Sequence, residues 1–188
     1  MKKLVVLALL VLAIAPKDSK AQEPISGEKY GNTINLGIGI GYYGYVGYNT
    51  PVLHFDYEIG IIKNLTIAPS ISVYQYHRDY YWGNKNYPYR YYTYTETVIP
   101  IGAKVTYYFD ELLKANKKWD FYVASTLAFK IRKTVWESDY YGDKIVQNRS
   151  SALYVDMHVG AEYHMNNRAG LFLDLSTGVS TFGLAIHL

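Results

Sequence analysis

Twelve side chains able to carry protons or ligate metals fall on one parity of alternating segments: Asp56, Glu58, Lys104, Asp120, Lys130, Asp156, Glu162 and Asp174, with His54, His158, His164 and His187. If they share an enclosed interior, each charge must be paired or hydrogen-bonded to offset its lost hydration. A plug of ion pairs is then the expected arrangement, and a proton or ion path is the alternative chemistry. His158 and His164, with Asp156 and Glu162, are residue types that suit zinc. Six residues of strand, however, separate the two rings by about 20 Å, too far to share one ion. The reading is therefore no metal site and no cofactor.

Catalysis needs a nucleophile and a base within hydrogen-bond reach. His77 and Asp79, with Ser70 or Ser72, are the candidates nearest in sequence. Their spacing matches no catalytic motif, so no catalytic residues are assigned and the chain is read as a non-enzyme. Cysteine is absent, which removes thiol catalysis, thiolate metal sites and disulfides together. Gly37-Ile38-Gly39-Ile40-Gly41 imitates part of a nucleotide-binding signature, but no helix follows it.

The elements that must position these residues are strands. Ile34, Leu36, Ile38 and Ile40 alternate with Asn35, Gly37, Gly39 and Gly41, and Leu53, Phe55, Tyr57, Ile59 and Ile61 with His54, Asp56, Glu58 and Gly60. The same period of two marks segments around 65–73, 99–109, 119–130, 153–164, 171–175 and 182–188. The polar parity is dominated by Gly, Ala, Ser and Thr with scattered charges. Small side chains suit the crowded interior of an eight-stranded barrel, whereas a water-facing surface would be richer in Lys and Glu. Connections after the second, fourth and sixth segments are short and those after the first, third and fifth are long, as in barrels of bacterial outer membranes. Tyr57, Tyr107, Phe109, Trp119, Phe121, Tyr163 and Phe182 stand near strand ends on the apolar parity and suit an interfacial girdle. The fold expected is all-β, an eight-stranded antiparallel up-and-down transmembrane β-barrel. Pro69 and Pro100 fall inside the third and fourth strands, where proline cannot donate to a ladder; a shared bulge or local break is expected there.

Lys2 and Lys3, an apolar run from Leu4 to Ala15, and Ser19-Lys20-Ala21 form a signal peptide over residues 1–21, leaving 22–188 as the barrel domain. Losing that segment removes four lysines and one aspartate and takes the formal charge from +3 to zero. A nucleic-acid partner is thereby excluded, since its electrostatic footprint requires a surviving basic excess.

Of 22 tyrosines, 13 lie in two stretches, 42–48 and 74–94. In the second, Gly83-Asn84-Lys85-Asn86 supplies turn residues between β-prone arms, so the third and fourth strands should continue as a hairpin beyond the membrane. A second hairpin is expected over 136–150. Tyr is rigid, amphipathic and loses little entropy on ordering, which suits recognition; cross-strand Tyr pairs also stabilise a hairpin without any ligand. Tyr76, Tyr80, Tyr81, Trp82, Tyr87, Tyr89, Tyr91 and Tyr92 are the candidate partner-binding residues.

With strand count, loop asymmetry and the alternating C-terminal strand Phe182-Gly183-Leu184-Ala185-Ile186-His187-Leu188 assembled, the chain resembles small outer-membrane β-barrel proteins of the OmpA/OmpX type over about residues 30–188. The resemblance implies that this last strand is recognised by the barrel assembly machinery, although Leu188 stands where the family usually ends in an aromatic. It implies a cell outer membrane of a Gram-negative bacterium and outer-membrane lipid around the wall. The functional expectation is a structural or surface-recognition role through Tyr-rich outer loops, with a surface glycan or protein as partner. A narrow pore for small solutes or ions, a soluble lumen-binding barrel and a lipid-modifying enzyme using His77 and Asp79 are the alternatives.

Overall fold

A computed structural model describes residues 32–41, 48–49, 51–109, 113, 115–116, 118–144 and 151–188. The signal peptide and the first residues assigned to the barrel domain lie outside this range. Eight long strands build the wall: β1 (Thr33–Gly41), β3 (Val52–Ile62), β4 (Leu65–Asn84), β5 (Tyr87–Tyr108), β6 (Trp119–Trp136), β7 (Leu153–Asn166), β8 (Ala169–Ser176) and β9 (Val179–His187). A two-residue strand, β2 (Tyr48–Asn49), pairs with β4 above the wall. Each long strand runs antiparallel to its neighbours, and β1 pairs with β9 from Thr33↔His187 to Gly41↔Val179, which closes the sheet. Closure removes the free edges of the wall itself; β4 and β5 continue past it as a two-stranded hairpin.

The alternation read from the sequence is realised with apolar residues outward. Leu53, Leu127, Val155, Leu173 and Phe182 each expose more than half of their surface, while Asp56, Glu58, Lys104, Asp120 and Asp174 are buried. This is the reverse of a soluble ligand-binding barrel, so that alternative is corrected. Leaving one Leu-sized side chain in water forgoes about 1.5–3 kcal/mol, and a continuous belt of them requires lipid. Trp119 packs on Tyr163 at 5.0 Å between ring centroids and on Phe121 at 6.0 Å, forming part of the girdle at the short-turn end. The β3–β4 turn at that end places Asn64 at φ 65°, a left-handed conformation that Asn tolerates better than most residues.

At the prolines the structure shows a local break at each and no shared bulge. Pro69 sits opposite Ala103, not Pro100, and the β4–β5 register is the same on both sides of Pro100. Pairing skips two rungs in each of two ladders. On the β3 side it is missing between Asp56↔Ser70 and Ile59↔Ile67, where Pro69 sits; on the β5 side it is missing between Ile71↔Ile101 and Tyr74↔Val98, where Pro100 sits. Each proline removes a donor from one ladder, and the wall holds register through its neighbours.

The first Tyr-rich hairpin forms as expected, with β4 and β5 paired up to Asn84↔Tyr87. No second hairpin appears among the described residues: β6 ends at Trp136 and residues 137–144 contain no strand, while 145–150 lie outside the described residues. Residues 137–144 fold back against the first hairpin instead.

Candidate functional site

The lumen is organised around Lys104. Its ammonium donates to Asp174 Oδ2 at 2.8 Å and lies 3.8 Å from Asp56 Oδ2. Each of these carboxylates holds a histidine, and each histidine holds a hydroxyl. Asp56 Oδ2 is 2.9 Å from His54 Nε2, and His54 Nδ1 is 2.7 Å from Ser72 Oγ. Across the barrel, Asp174 Oδ1 is 2.7 Å from His158 Nδ1, and His158 Nε2 is 2.9 Å from Thr126 Oγ1. Two hydroxyl–histidine–carboxylate relays thus share one lysine, which balances charge and supplies the hydrogen bonds that buried ions require.

Such relays are what a serine nucleophile uses, but the space beside them is a cavity of about 20 Å³. That volume accommodates roughly one water, which needs about 10–15 Å³, and leaves no room for an acyl or glycosyl group. Below the relays, Glu58 accepts hydrogen bonds from Tyr108 at 2.6 Å and Thr66 at 3.1 Å. The Tyr122 ring lies over Gly160, where a Cβ would fall 2.2 Å from the ring. Above them, Val52, Tyr74, Tyr76, Val98 and Val179 form an apolar layer. Asp156 accepts from Ser176, Thr177 and the Val179 N–H at 3.0, 2.7 and 3.1 Å, tying the β8–β9 turn to the wall. Lys130 places its ammonium 4.4 Å from the Tyr154 ring centroid. At the short-turn end, Asp120, Glu162, His164 and His187 form a separate cluster, with His164 Nε2 2.6 Å from Asp120 Oδ2 and His187 Nε2 2.9 Å from Glu162 Oε1.

The second region is the β4–β5 hairpin, which continues ten residues past Tyr74 to Asn84, roughly 30 Å of strand. Its outward parity changes chemistry without changing register. Ile71 and Val73 on β4 are lipid-type residues, whereas the next outward positions pair Gln75 with Thr97 at 3.0 Å, His77 with Thr95 at 2.8 Å and Asp79 with Thr93 at 3.1 Å. On β4 the outward residues thus change from lipid-type to polar between Val73 and Gln75. Beyond this polar ladder stand Tyr81, Tyr89 and Tyr91, exposed by 58%, 64% and 69%. Tyr81 faces Tyr91 across the strands at 5.2 Å.

The opposite face is packed. Tyr140, 2% exposed, is its hub: its ring stacks on Trp136 at 4.4 Å and meets Trp82 at 5.2 Å and Tyr92 at 5.3 Å. Burial raises the Tyr140 phenol above its ordinary pKa, with smaller contributions from Tyr80 and Asp143. The 137–144 segment is strapped down by Arg90, which pairs with Glu137 and Asp139, and by Tyr141 stacked on Tyr87 at 4.8 Å. The Glu137 carboxylate also accepts the Thr93 N–H at 3.0 Å.

The fold is that of a small transmembrane barrel. No family model and no curated protein matches the chain. Among solved structures, it is similar to a de novo designed transmembrane β-barrel, with TM-score 0.45 and 12% identity over 86% of this chain and 98% of the other. It is also similar to the outer membrane protein Ail of Yersinia pestis in a phospholipid bilayer nanodisc, with TM-score 0.41 and 11% identity over 85% of this chain and 100% of that one. Ail in complex with the heparin analogue sucrose octasulfate gives TM-score 0.44 and 8% identity over 83% and 95%. These are likenesses of fold.

The lumen residues expected from parity all point inward: Asp56, Glu58, Lys104, Asp120, Lys130, Asp156, Glu162 and Asp174 are buried and His158 is mostly so. The eight aromatic candidates divide. Tyr81, Tyr87, Tyr89 and Tyr91 are exposed, as is Tyr80 along one edge, and Trp82 is half-buried. Tyr76 and Tyr92 are corrected: at 2% and 1% exposure they cannot meet a partner. Tyr76 turns into the barrel mouth and donates to Glu96 at 2.5 Å, and Tyr92 is covered by Tyr140. His77 and Asp79 bond to threonines across the hairpin, while Ser72 bonds His54, so the residues weighed for catalysis do not assemble with one another. Tyr140, missing from the candidates, carries a signal only in the Tyr140-Tyr141-Gly142 run.

Proposed function

We propose that the protein is a non-enzymatic outer-membrane barrel of a Gram-negative envelope that presents the outward face of its β4–β5 hairpin to a surface glycan or protein. The observation that carries this reading is the exposed Tyr81–Tyr89–Tyr91 patch above the Gln75–Thr97, His77–Thr95 and Asp79–Thr93 ladder. Large rigid rings next to fixed hydrogen-bonding pairs form a surface that is already ordered before binding, which lowers the entropy lost on association. The rings behind it hold the hairpin straight, so the presented face does not depend on a ligand for its shape. The export signal and the outward apolar belt support placement in the outer membrane, inserted by the barrel assembly machinery. The small lumen cavity favours this reading over a pore.

The test uses the protein in lipid nanodiscs, screened against glycan and surface-protein panels, beside a Tyr81→Ser, Tyr89→Ser, Tyr91→Ser triple variant. These rings lie outside the Tyr140 cluster, so the hairpin should stay folded. Expected is a binding signal that falls at least about tenfold in the variant, as for interface hot spots. Binding that is undiminished, or no binding by the parent protein to either panel, overturns the reading. Steady efflux of a trapped ion from liposomes would replace it with the pore.

A further inference from the structure

We propose that the short-turn end of the lumen binds one divalent ion of the zinc class through Glu162, His164 and His187. The three side chains come from β7 and β9, two strands apart, and each is at least 95% buried. One donor atom from each lies within 4.8 Å of the other two. Glu162 Oε1 is 2.9 Å from His187 Nε2 and 3.5 Å from His164 Nδ1. Tetrahedral zinc with bonds of about 2.0–2.1 Å needs donors roughly 3.3 Å apart, a spacing that the two Glu162 distances bracket.

The outer contacts of both imidazoles are those a metal site requires. A ligating histidine presents one nitrogen to the ion and gives its other N–H to a carboxylate or hydroxyl. Asp120 Oδ2 takes His164 Nε2 at 2.6 Å, which leaves the Nδ1 lone pair directed at Glu162. Thr33 Oγ1 lies 2.8 Å from His187 Nδ1; in the tautomer that carries its proton on Nδ1, the Nε2 lone pair faces Glu162 in the same way. With neutral histidines, Glu162 and Asp120 bring two negative charges that a divalent ion balances, and two imidazoles with one carboxylate select zinc-class metals over magnesium or calcium.

A third observation concerns Gly170, which pairs with His164 between the two ligand-bearing strands. A Cβ there would fall 2.1 Å from Glu162 Oε1, so the glycine provides the space the carboxylate occupies. The cluster lies near the short-turn end of the wall, where the backbone N–H groups of His164 and His187 bond the Lys118 and Arg168 carbonyls at 2.8 and 3.0 Å.

The experiment titrates Co²⁺, as a visible stand-in for zinc, into the protein folded in lipid nanodiscs. Expected is one equivalent bound with an intense tetrahedral absorption band that Zn²⁺ displaces. His164→Ala and His187→Ala should each abolish the band. Asp120→Asn should weaken affinity about 10–100-fold while leaving the band's shape, and Gly170→Ala should weaken it through Glu162. His158→Asn, on the other relay, should leave it intact. No band in the folded parent protein overturns the proposal without recourse to any variant. So does a band that survives both histidine substitutions, or one lost on His158→Asn in a folded barrel.

Discussion

The lumen and the outer hairpin solve the same problem with opposite materials. Inside the wall, where lipid takes the apolar side chains, the core is polar: Lys104 joins two aspartates, two histidines and two hydroxyls, beside a space of about 20 Å³ lined by His54, His158 and Asp174. In the outer part of the hairpin, past the last lipid-type residue Val73 on β4, the ordinary rule returns: Trp82, Tyr92, Trp136 and Tyr140 bury one another. The surrounding solvent, not the strand, decides what a core is made of. The first region is held by charge satisfaction and should fail abruptly when one ion is removed. The second is held by ring area and should fail locally.

The sharpest break of this comparison is Lys104→Met. It leaves Asp56 and Asp174 buried without their shared cation, and removing one partner from a buried ionic network typically costs about 3–5 kcal/mol. The urea midpoint for folding into lipid vesicles should drop accordingly, and adding Asp174→Asn should recover part of the loss. A drop below about 1 kcal/mol would mean that water reaches the site and the lumen is not a sealed core.

Next is Tyr140→Ala. Deleting a buried aromatic costs about 3 kcal/mol, but here the loss should be confined to the hairpin. Protease cleavage within 78–94 should rise steeply while the barrel's urea midpoint stays unchanged. Combined with Lys104→Met, the two effects should add, because the sites share no partner. Coupling between them would show that the hairpin and the wall fold as one unit.

How far these two regions could be read from sequence follows from the same contrast. Parity assigned Asp56, Lys104 and Asp174 to the interior because alternation fixes a residue's face. It could not bring His54 to Ser72, or His187 to Glu162, because the height at which one strand meets another depends on the stagger accumulated around the closed wall. The distance argument between His158 and His164 is sound along one strand and silent about β9. In the hairpin, Gly83 to Asn86 marked the turn. The strap at 137–144 had no periodicity to detect, so the Tyr140-Tyr141-Gly142 run alone hinted at Tyr140, the ring that Trp82, Tyr92 and Trp136 surround.

A smaller effect is expected from Gly160→Ala. The added Cβ would fall 2.2 Å from the Tyr122 ring, which must then tilt away from Asp174, to which its hydroxyl donates at 3.1 Å. Overpacking of this kind costs about 1–3 kcal/mol, read in the same urea series. A neutral result would show that the lumen can repack and would blur its distinction from the hairpin.

The smallest effect belongs to pH and separates the two regions by ionisation alone. Burial raises the Tyr140 phenol above the ordinary tyrosine value, which is about 10. A phenol whose folded pKa is raised contributes stability that is complete below the unfolded pKa and is lost as pH climbs through the folded one. Proteolysis of the hairpin should therefore be flat up to about pH 10 and accelerate above it. Tyr140→Phe keeps the stacked ring on Trp136 and removes the ionisable group, so part of that acceleration should disappear. An identical alkaline profile in both proteins would move the responsible group to another tyrosine and leave ring packing, without the phenol, as Tyr140's whole contribution.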